Sequence, residues 1–220
     1  MKVIIMVTTF LDDNIYTEFY KKQNETWNSF DVQDITVYFN INDGKIKEKK
    51  GHFIINNLPE SYLNAASKII NCFEQTMYDD YDYLFHTNSS SYIDKELLYK
   101  WLENKPRKRF YSGLIGSHNG INFASGCGFT LSKDLVELSL INRNKWENTP
   151  IFDVDLGKTM LELNIPIYPA PRQDFYTLIH DKHSIPTDFF HYRCKSNDRK
   201  FDIANMQSIF EMKNQIIKLK

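Results

Sequence analysis

The sequence predicts an α/β protein built on a mostly parallel β-sheet flanked by helices, in a single domain. Short continuous apolar runs rich in β-branched residues alternate with segments whose apolar residues recur every three or four positions. The strand-like runs are apolar throughout, as strands covered on both faces must be. A chain of 220 residues, 42% of them hydrophobic, can bury a sizeable core, about 70% of its unfolded surface at this length.

The elements follow in order. Val3 to Thr8 is the first buried strand, Ile35 to Asn40 the second and Tyr83 to Thr87 the third. Between the second and third, Pro59 suits a first helical turn. Tyr62, Ala66, Ile69, Ile70, Phe73 and Met77 then form one apolar stripe. Asp94 caps a helix carrying Leu97, Leu98, Trp101 and Leu102, which ends before Pro106. Phe110 to Ile115 and Gly128 to Leu131 read as further strands, and Ser132 caps a short helix through Leu135 and Leu138. A helix from about Val154 buries Leu156, Met160 and Leu163, followed by a strand over Ile165 to Tyr168. The last helix follows Asp202 and runs through Ile203, Met206, Ile209, Phe210 and Ile216. Lys45, Lys47, Lys49 and Lys50, after Asn42-Asp43-Gly44, read as a solvated hairpin or loop. In such sheets the ligand sits beyond the carboxyl ends of the strands. No G-x-G-x-x-G follows the first strand, so a dinucleotide fold of the usual kind is not expected.

Composition excludes several classes. Twenty-seven Lys and Arg against 28 Asp and Glu leave a net charge of −1, with no global attraction for a polyanion, so nucleic acid is not an expected partner. No apolar run approaches the roughly 20 residues that cross a bilayer. The apolar start has no small-residue cleavage site, so a first strand fits it better than a signal peptide. Cys72, Cys127 and Cys194 form neither a disulfide framework nor a zinc pattern and suit a reducing compartment. The expected location is cytoplasmic.

Five segments, in order over roughly residues 1 to 168, resemble the β-1,3-galactosyltransferase and Fringe-type glycosyltransferases. Gln23-Asn24-Glu25-Thr26-Trp27 resembles their R-x-T-W element. Glu60-Ser61-Tyr62-Leu63-Asn64 with Lys68 resembles D-S-Y-x-N-L-x-x-K. Tyr83 to Thr87 stands where a strand leads into T-D-D-D, and Ser125 to Leu135 resembles C-S-G-G-G-Y-V-L-S-R-D-L. Phe152-Asp153-Val154-Asp155-Leu156-Gly157 stands at E-D-V-Y-V-G. The resemblance implies a GT-A, Rossmann-like fold. Its nucleotide-binding part would span about 1–92, an acceptor and catalytic part about 93–200, and a C-terminal helix about 202–218. It implies transfer of a hexosyl group from a nucleotide-sugar, with a UDP-linked donor expected, to a hydroxyl of a glycan or oligosaccharide acceptor. The chain is most similar in character to the soluble members of bacteria and large DNA viruses of the chlorella virus type, hence a bacterial or virus-infected host cytoplasm.

The family's D-x-D holds Mn²⁺ or Mg²⁺ against the diphosphate, stabilising charge on the leaving group. Here those aspartates fall on Asn88, Ser89 and Ser90, neutral oxygens that are weak ligands for a hard cation, so metal dependence does not carry over from this motif. Two readings of Asn88 and Ser90 stand: hydrogen bonds to ribose, sugar or phosphate, or a turn before the next helix. Asp80 and Asp82 stand at a strand's start, away from the ligand end, and read as surface turn residues.

By the resemblance, Asp153 is the general base that takes the acceptor's proton; a helix N-terminus also favours Asp there. The resemblance implies that Ser125, Gly126 and Gly128 form a small-residue turn that lets backbone approach donor and acceptor. It also implies that Thr8, Thr9, Phe10 and Asp12, after the first strand, meet base and ribose, with Lys68 pointing to the same pocket. His191, Arg193 and Lys195 share one side of an extended stretch, where they either clasp a diphosphate or form a solvated basic patch. Asp155 and His191 are the metal candidates, with His180 and His183 as rivals to His191. Two alternatives to an inverting transferase stay open: a retaining enzyme, and an inactive protein that binds nucleotide or sugar.

Overall fold

A computed structural model describes residues 1–11, 13–59, 61, 64–146 and 151–219, and side chains through 215. Asp12, Glu60, Tyr62 and Leu63, and the side chain of Ile216, fall outside the described residues. Contacts divide the chain into two compact units that interleave along the sequence. One comprises Met1–Phe10, Asp34–Asn88 and Asn104–Ala170; the other Leu11–Gln33, Ser89–Glu103 and Pro171–Lys220.

The first unit carries the sheet. Its strands are β1 (Val3–Thr8), β2 (Ile35–Asn42), β3 (Glu48–Lys50), β4 (Phe53–Asn56), β5 (Tyr83–Asn88), β7 (Tyr111–His118), β8 (Ile121–Ser132) and β9 (Ile167–Pro169), in spatial order β3-β4-β2-β1-β5-β8-β7-β9. β4, β2, β1 and β5 are mutually parallel, while β8 runs antiparallel to both β5 and β7. Val3 through Val7 are buried, as an apolar run covered on both faces should be. The mostly parallel α/β sheet is the one the alternating pattern predicts.

Helices α2 (Ala65–Thr76), α4 (Lys133–Ile141) and α5 (Phe152–Glu162) belong to this unit. α2 buries Ala66, Ile69, Ile70 and Phe73, the expected stripe, against a core that includes Ile4, Met6, Phe129 and Trp146. Its start differs from expectation. Pro59 lies before the helix, where its carbonyl accepts from Asn64 Nδ2 at 2.7 Å. Ser132 stands at the N-cap position of α4 but makes no capping bond. Its hydroxyl instead donates to Asp134 at 2.6 Å and accepts the Phe110 N–H at 3.0 Å. The lysine-rich segment enters the short β3–β4 hairpin, where Lys47 reaches Asn71 and Glu74 and Lys49 pairs with Asp79. Asp80 and Asp82 are surface partners of Lys2, as expected.

The second unit contains α1 (Asn14–Glu25), α3 (Lys95–Glu103) and α6 (Arg199–Leu219), with β6 (Ser91–Ile93), β10 (Gln173–Phe175) and β11 (His191–Cys194) in a sheet of order β10-β11-β6. Asp94 caps α3 as predicted, accepting the Leu97 N–H at 2.9 Å. α6 begins at Arg199, three residues before the expected Asp202. The Asp202 carboxylate is buried and holds Arg199 Nη1 at 2.8 Å and the Ser196 N–H at 2.6 Å, which fixes that first turn.

Candidate active site

Two features of β8 shape the candidate site in the first unit. Gly113 of β7 pairs with Phe129, and Ile115 pairs with Ala124. Residues 125–128 therefore face Leu114 alone, and β8 bulges there. Ser125 to Gly128 thus lie within a strand rather than in a turn preceding one. A bulge supplies the irregularity that the small residues suggested, while the flanking ladder stays intact.

α5 packs onto β8 at that bulge. A Cβ on Gly157 would stand 2.5 Å from Phe123 Cβ, so only glycine admits helix and strand at this spacing. A Cβ on Gly126 would meet Phe152 Cζ at 2.8 Å and Asp153 Oδ2 at 3.0 Å. With no Cβ in the way, the Gly126 N–H donates to Asp153 Oδ2 at 2.8 Å, and Val154 N–H donates to Oδ1 at 3.1 Å. Asp153 is half-buried at the first turn of α5, where the helix dipole favours an anion. Among the described residues no cation pairs with it. Asp155, on the same turn, is also half-buried.

The carboxyl ends of β1 and β5 form the second part. Thr8 and Asn88 are register partners there. His86, two residues inward on β5, is buried, with Nε2 3.1 Å from Thr8 Oγ1. Burial, only partly offset by the nearby Gly126 backbone, pushes its pKa down to about 3, so the ring is neutral at ordinary pH. The ring packs on Phe129 at 4.8 Å and on Phe152 at 6.1 Å, centroid to centroid. Thr87 Oγ1 donates to the Cys127 carbonyl at 3.1 Å. These contacts tie the end of β1, the end of β5, the β8 bulge and the first turn of α5 into one framework.

Lys68 of α2 is almost fully buried, yet its ammonium donates to the Thr9 carbonyl at 2.7 Å and lies 4.6 Å from the centroid of the Phe10 ring. The expected grouping of Thr9, Phe10 and Lys68 is present. Asn40 of β2 and Asn56, which ends β4, are linked by a 2.7 Å side-chain bond, and Asn40 Nδ2 also reaches the Lys68 carbonyl at 3.2 Å. Sequence reasoning assigned no role to His86 or Asn56. The available signal was a polar residue closing an otherwise apolar strand.

The remaining predicted residues lie in the second unit. Ser89 and Ser90 form a buried turn entering β6. Gln23 Nε2 donates to the carbonyls of Ser89 and Ser91 at 3.0 and 3.1 Å, and the Cys194 N–H donates to the Ser90 carbonyl at 2.8 Å. His191 is buried in β11, its Nε2 3.0 Å from Ser91 Oγ. Arg193 Nη1 lies 3.7 Å from Asp174, which Arg172 also clasps through two bonds of 2.7 and 3.0 Å. Lys195 is exposed beyond the end of β11. Arg172 and Asp174 carry no signal in the sequence, because an Arg and an Asp two positions apart are ordinary surface residues and only Arg193 links them to a distant segment.

The metal candidates divide between the units: Asp155 on α5 and His191 on β11. Among the described residues no three His, Cys, Asp or Glu side chains gather as a metal site. Asn88 and Ser90 offer only neutral oxygens. The described donor set does not fit a resident divalent ion. Among those residues no helix is long and apolar enough to cross a membrane.

No protein-family model and no curated protein matches the sequence. Among solved structures, the chain is similar to a glycosyltransferase involved in the glycosylation of the major capsid of PBCV-1. The match covers 95% of this chain and 100% of that one, with a TM-score of 0.59 and 13% identity. At that identity the likeness is one of fold: the chain has a GT-A, Rossmann-like arrangement. It does not single out the β-1,3-galactosyltransferase and Fringe-type family.

Proposed function

We propose that this chain is a glycosyltransferase that moves a hexosyl group from a UDP-linked donor to a hydroxyl of a glycan acceptor, with Asp153 as general base. The observation that carries the reading is the state of that carboxylate. Two backbone N–H groups hold it at a helix N-terminus, over a strand bulge that admits no side chain at Gly126. A carboxylate has about four acceptor positions, so two N–H donors fix its orientation and leave capacity for an incoming hydroxyl.

In this reading the acceptor oxygen attacks the anomeric carbon from the face opposite the diphosphate. Its proton passes to Asp153, and the electrons of the breaking glycosidic bond leave on the diphosphate oxygen. The donor lies at the carboxyl ends of β1 and β5, where Thr8, Thr9 and Asn88 offer hydrogen bonds and Lys68 supplies positive charge. Ser125, Gly126 and Gly128 leave room for the sugar. Ser90, His191, Arg193 and Lys195 of the second unit are proposed nucleotide-sugar contacts in their own right. No step passes through a divalent ion.

Thermal denaturation across a panel of nucleotide-sugars, with and without Mn²⁺, tests the donor class. A UDP-hexose that raises the melting temperature by mass action, without needing the metal, supports it. Turnover of that donor separates an enzyme from an inactive binding protein. NMR of the product then reads the anomeric configuration: inversion agrees with the mechanism, and retention overturns the role of Asp153.

A further inference from the structure

The second unit contains a cavity of about 420 Å³ that none of the proposed donor or acceptor residues lines. It is within the size range of small-molecule sites, roughly 300–1,000 Å³. Three aromatic rings contribute to its wall: Phe30, Tyr92 and Phe210. Phe30 is 43% exposed, yet it is fixed from behind. The Lys95 ammonium donates to its carbonyl and lies 4.8 Å from its ring centroid. An aromatic face held open to solvent is a stacking platform rather than part of a core.

Four charged groups share the wall: Asp94, Glu96, Lys100 and Lys213. Their formal charges cancel. Asp94 and Lys213 are further locked together at 2.8 Å, with Lys213 also donating to the Thr187 carbonyl at 2.7 Å. A wall with no net charge has no field to gather a diphosphate or another polyanion. A purely apolar ligand would strip water from Glu96, Lys100 and the amide of Asn214 without replacing it. Both exclusions leave a neutral ligand with an apolar face and many hydroxyls.

We propose that this cavity binds a neutral sugar, one or two rings in size, separately from the transfer site. The C–H face of the ring stacks on the aromatic wall. Hydroxyls donate to Glu96 and accept from Lys100 and Asn214. The proposal does not rest on Asp153 or on any donor contact, so it stands or falls independently of the transfer reading.

The test is titration of the full chain with methyl β-glucoside, methyl β-galactoside, lactose and cellobiose, followed by saturation-transfer NMR, with UDP and galacturonate as anionic controls. At least one neutral sugar should bind saturably, and neither anion should displace it. Phe210→Ala should weaken that binding about tenfold, the loss of one aromatic contact. Glu96→Gln should weaken it by about threefold to tenfold. Glu96 is exposed, so its replacement leaves the core intact even if Phe210→Ala fails to fold. Asp153→Asn should leave the affinity unchanged. Absence of saturable binding by every neutral sugar, displacement by either anion, or affinity indifferent to Glu96→Gln and to a folded Phe210→Ala would each overturn the proposal.

Discussion

The first turn of α5 and the strand pair β10–β11 each hold an aspartate, and they treat it in opposite ways. Asp174 is 14% exposed and clasped by Arg172, with Arg193 beside it, so its charge is neutralised by cations. Asp153 is held only by backbone N–H groups among the described residues, so its orientation is fixed while its charge stays uncompensated. A carboxylate neutralised by guanidinium groups ties its own strands together, whereas one held by backbone N–H groups keeps acceptor positions open.

The largest stability effect should come from the structural member of this comparison. Asp174→Ala leaves two largely buried guanidinium groups around an empty position and should cost about 3–5 kcal/mol, read as a lowered midpoint in urea. Asp153→Asn should shift that midpoint far less, because the amide oxygen can still accept the Gly126 N–H. Equal losses from the two substitutions would erase the distinction. Gly126→Ala comes next. Its methyl group would push against Phe152 and Asp153, and overpacking of this kind costs about 1–3 kcal/mol. Transfer should fall with it, since the carboxylate is displaced.

A smaller effect is set by pH. His86 has its folded pKa depressed from 6.5 to about 3 by burial, so the native state resists a proton that the unfolded chain accepts. The full contribution is present above pH 6.5 and is lost progressively as pH falls toward 3. The slope should not exceed about 1.4 kcal/mol per pH unit. Urea unfolding of wild type and His86→Gln across this range checks it: the substitution should flatten the acid side of the profile. An unchanged profile would mean that the ring is not a buried neutral link between Thr8 and the α5 turn.

Much of the fold was legible because its signals are local. The apolar run from Val3 to Val7, the α2 stripe and the Asp94 cap each follow from periodicity or from one side chain bonding a nearby N–H. Asp153, Gly126, Thr8 and Asn88 were also named from the sequence, and the chain brings them into one framework. What escaped depends on long-range closure. The bulge at 125–128 exists only because β7 and β8 pair out of step, and no local pattern encodes that register. The bridging role of His86 required knowing that β1 and β5 are neighbours. Strand alternation suggested a His191, Arg193 and Lys195 set, but β11 ends at Cys194, before Lys195, and the Asp174 beside Arg193 lies 19 residues earlier in the chain. The start of α2 was displaced because Pro59 marks the approach to the helix, while Asn64 stands at its N-cap.

The most direct measurement is the rate of sugar transfer by Asp153→Asn at saturating donor, compared with donor affinity measured by calorimetry. The account predicts a rate lower by about 10²–10⁴-fold, the usual contribution of a general base, with donor affinity nearly unchanged. A variant that transfers sugar at close to the wild-type rate would contradict it.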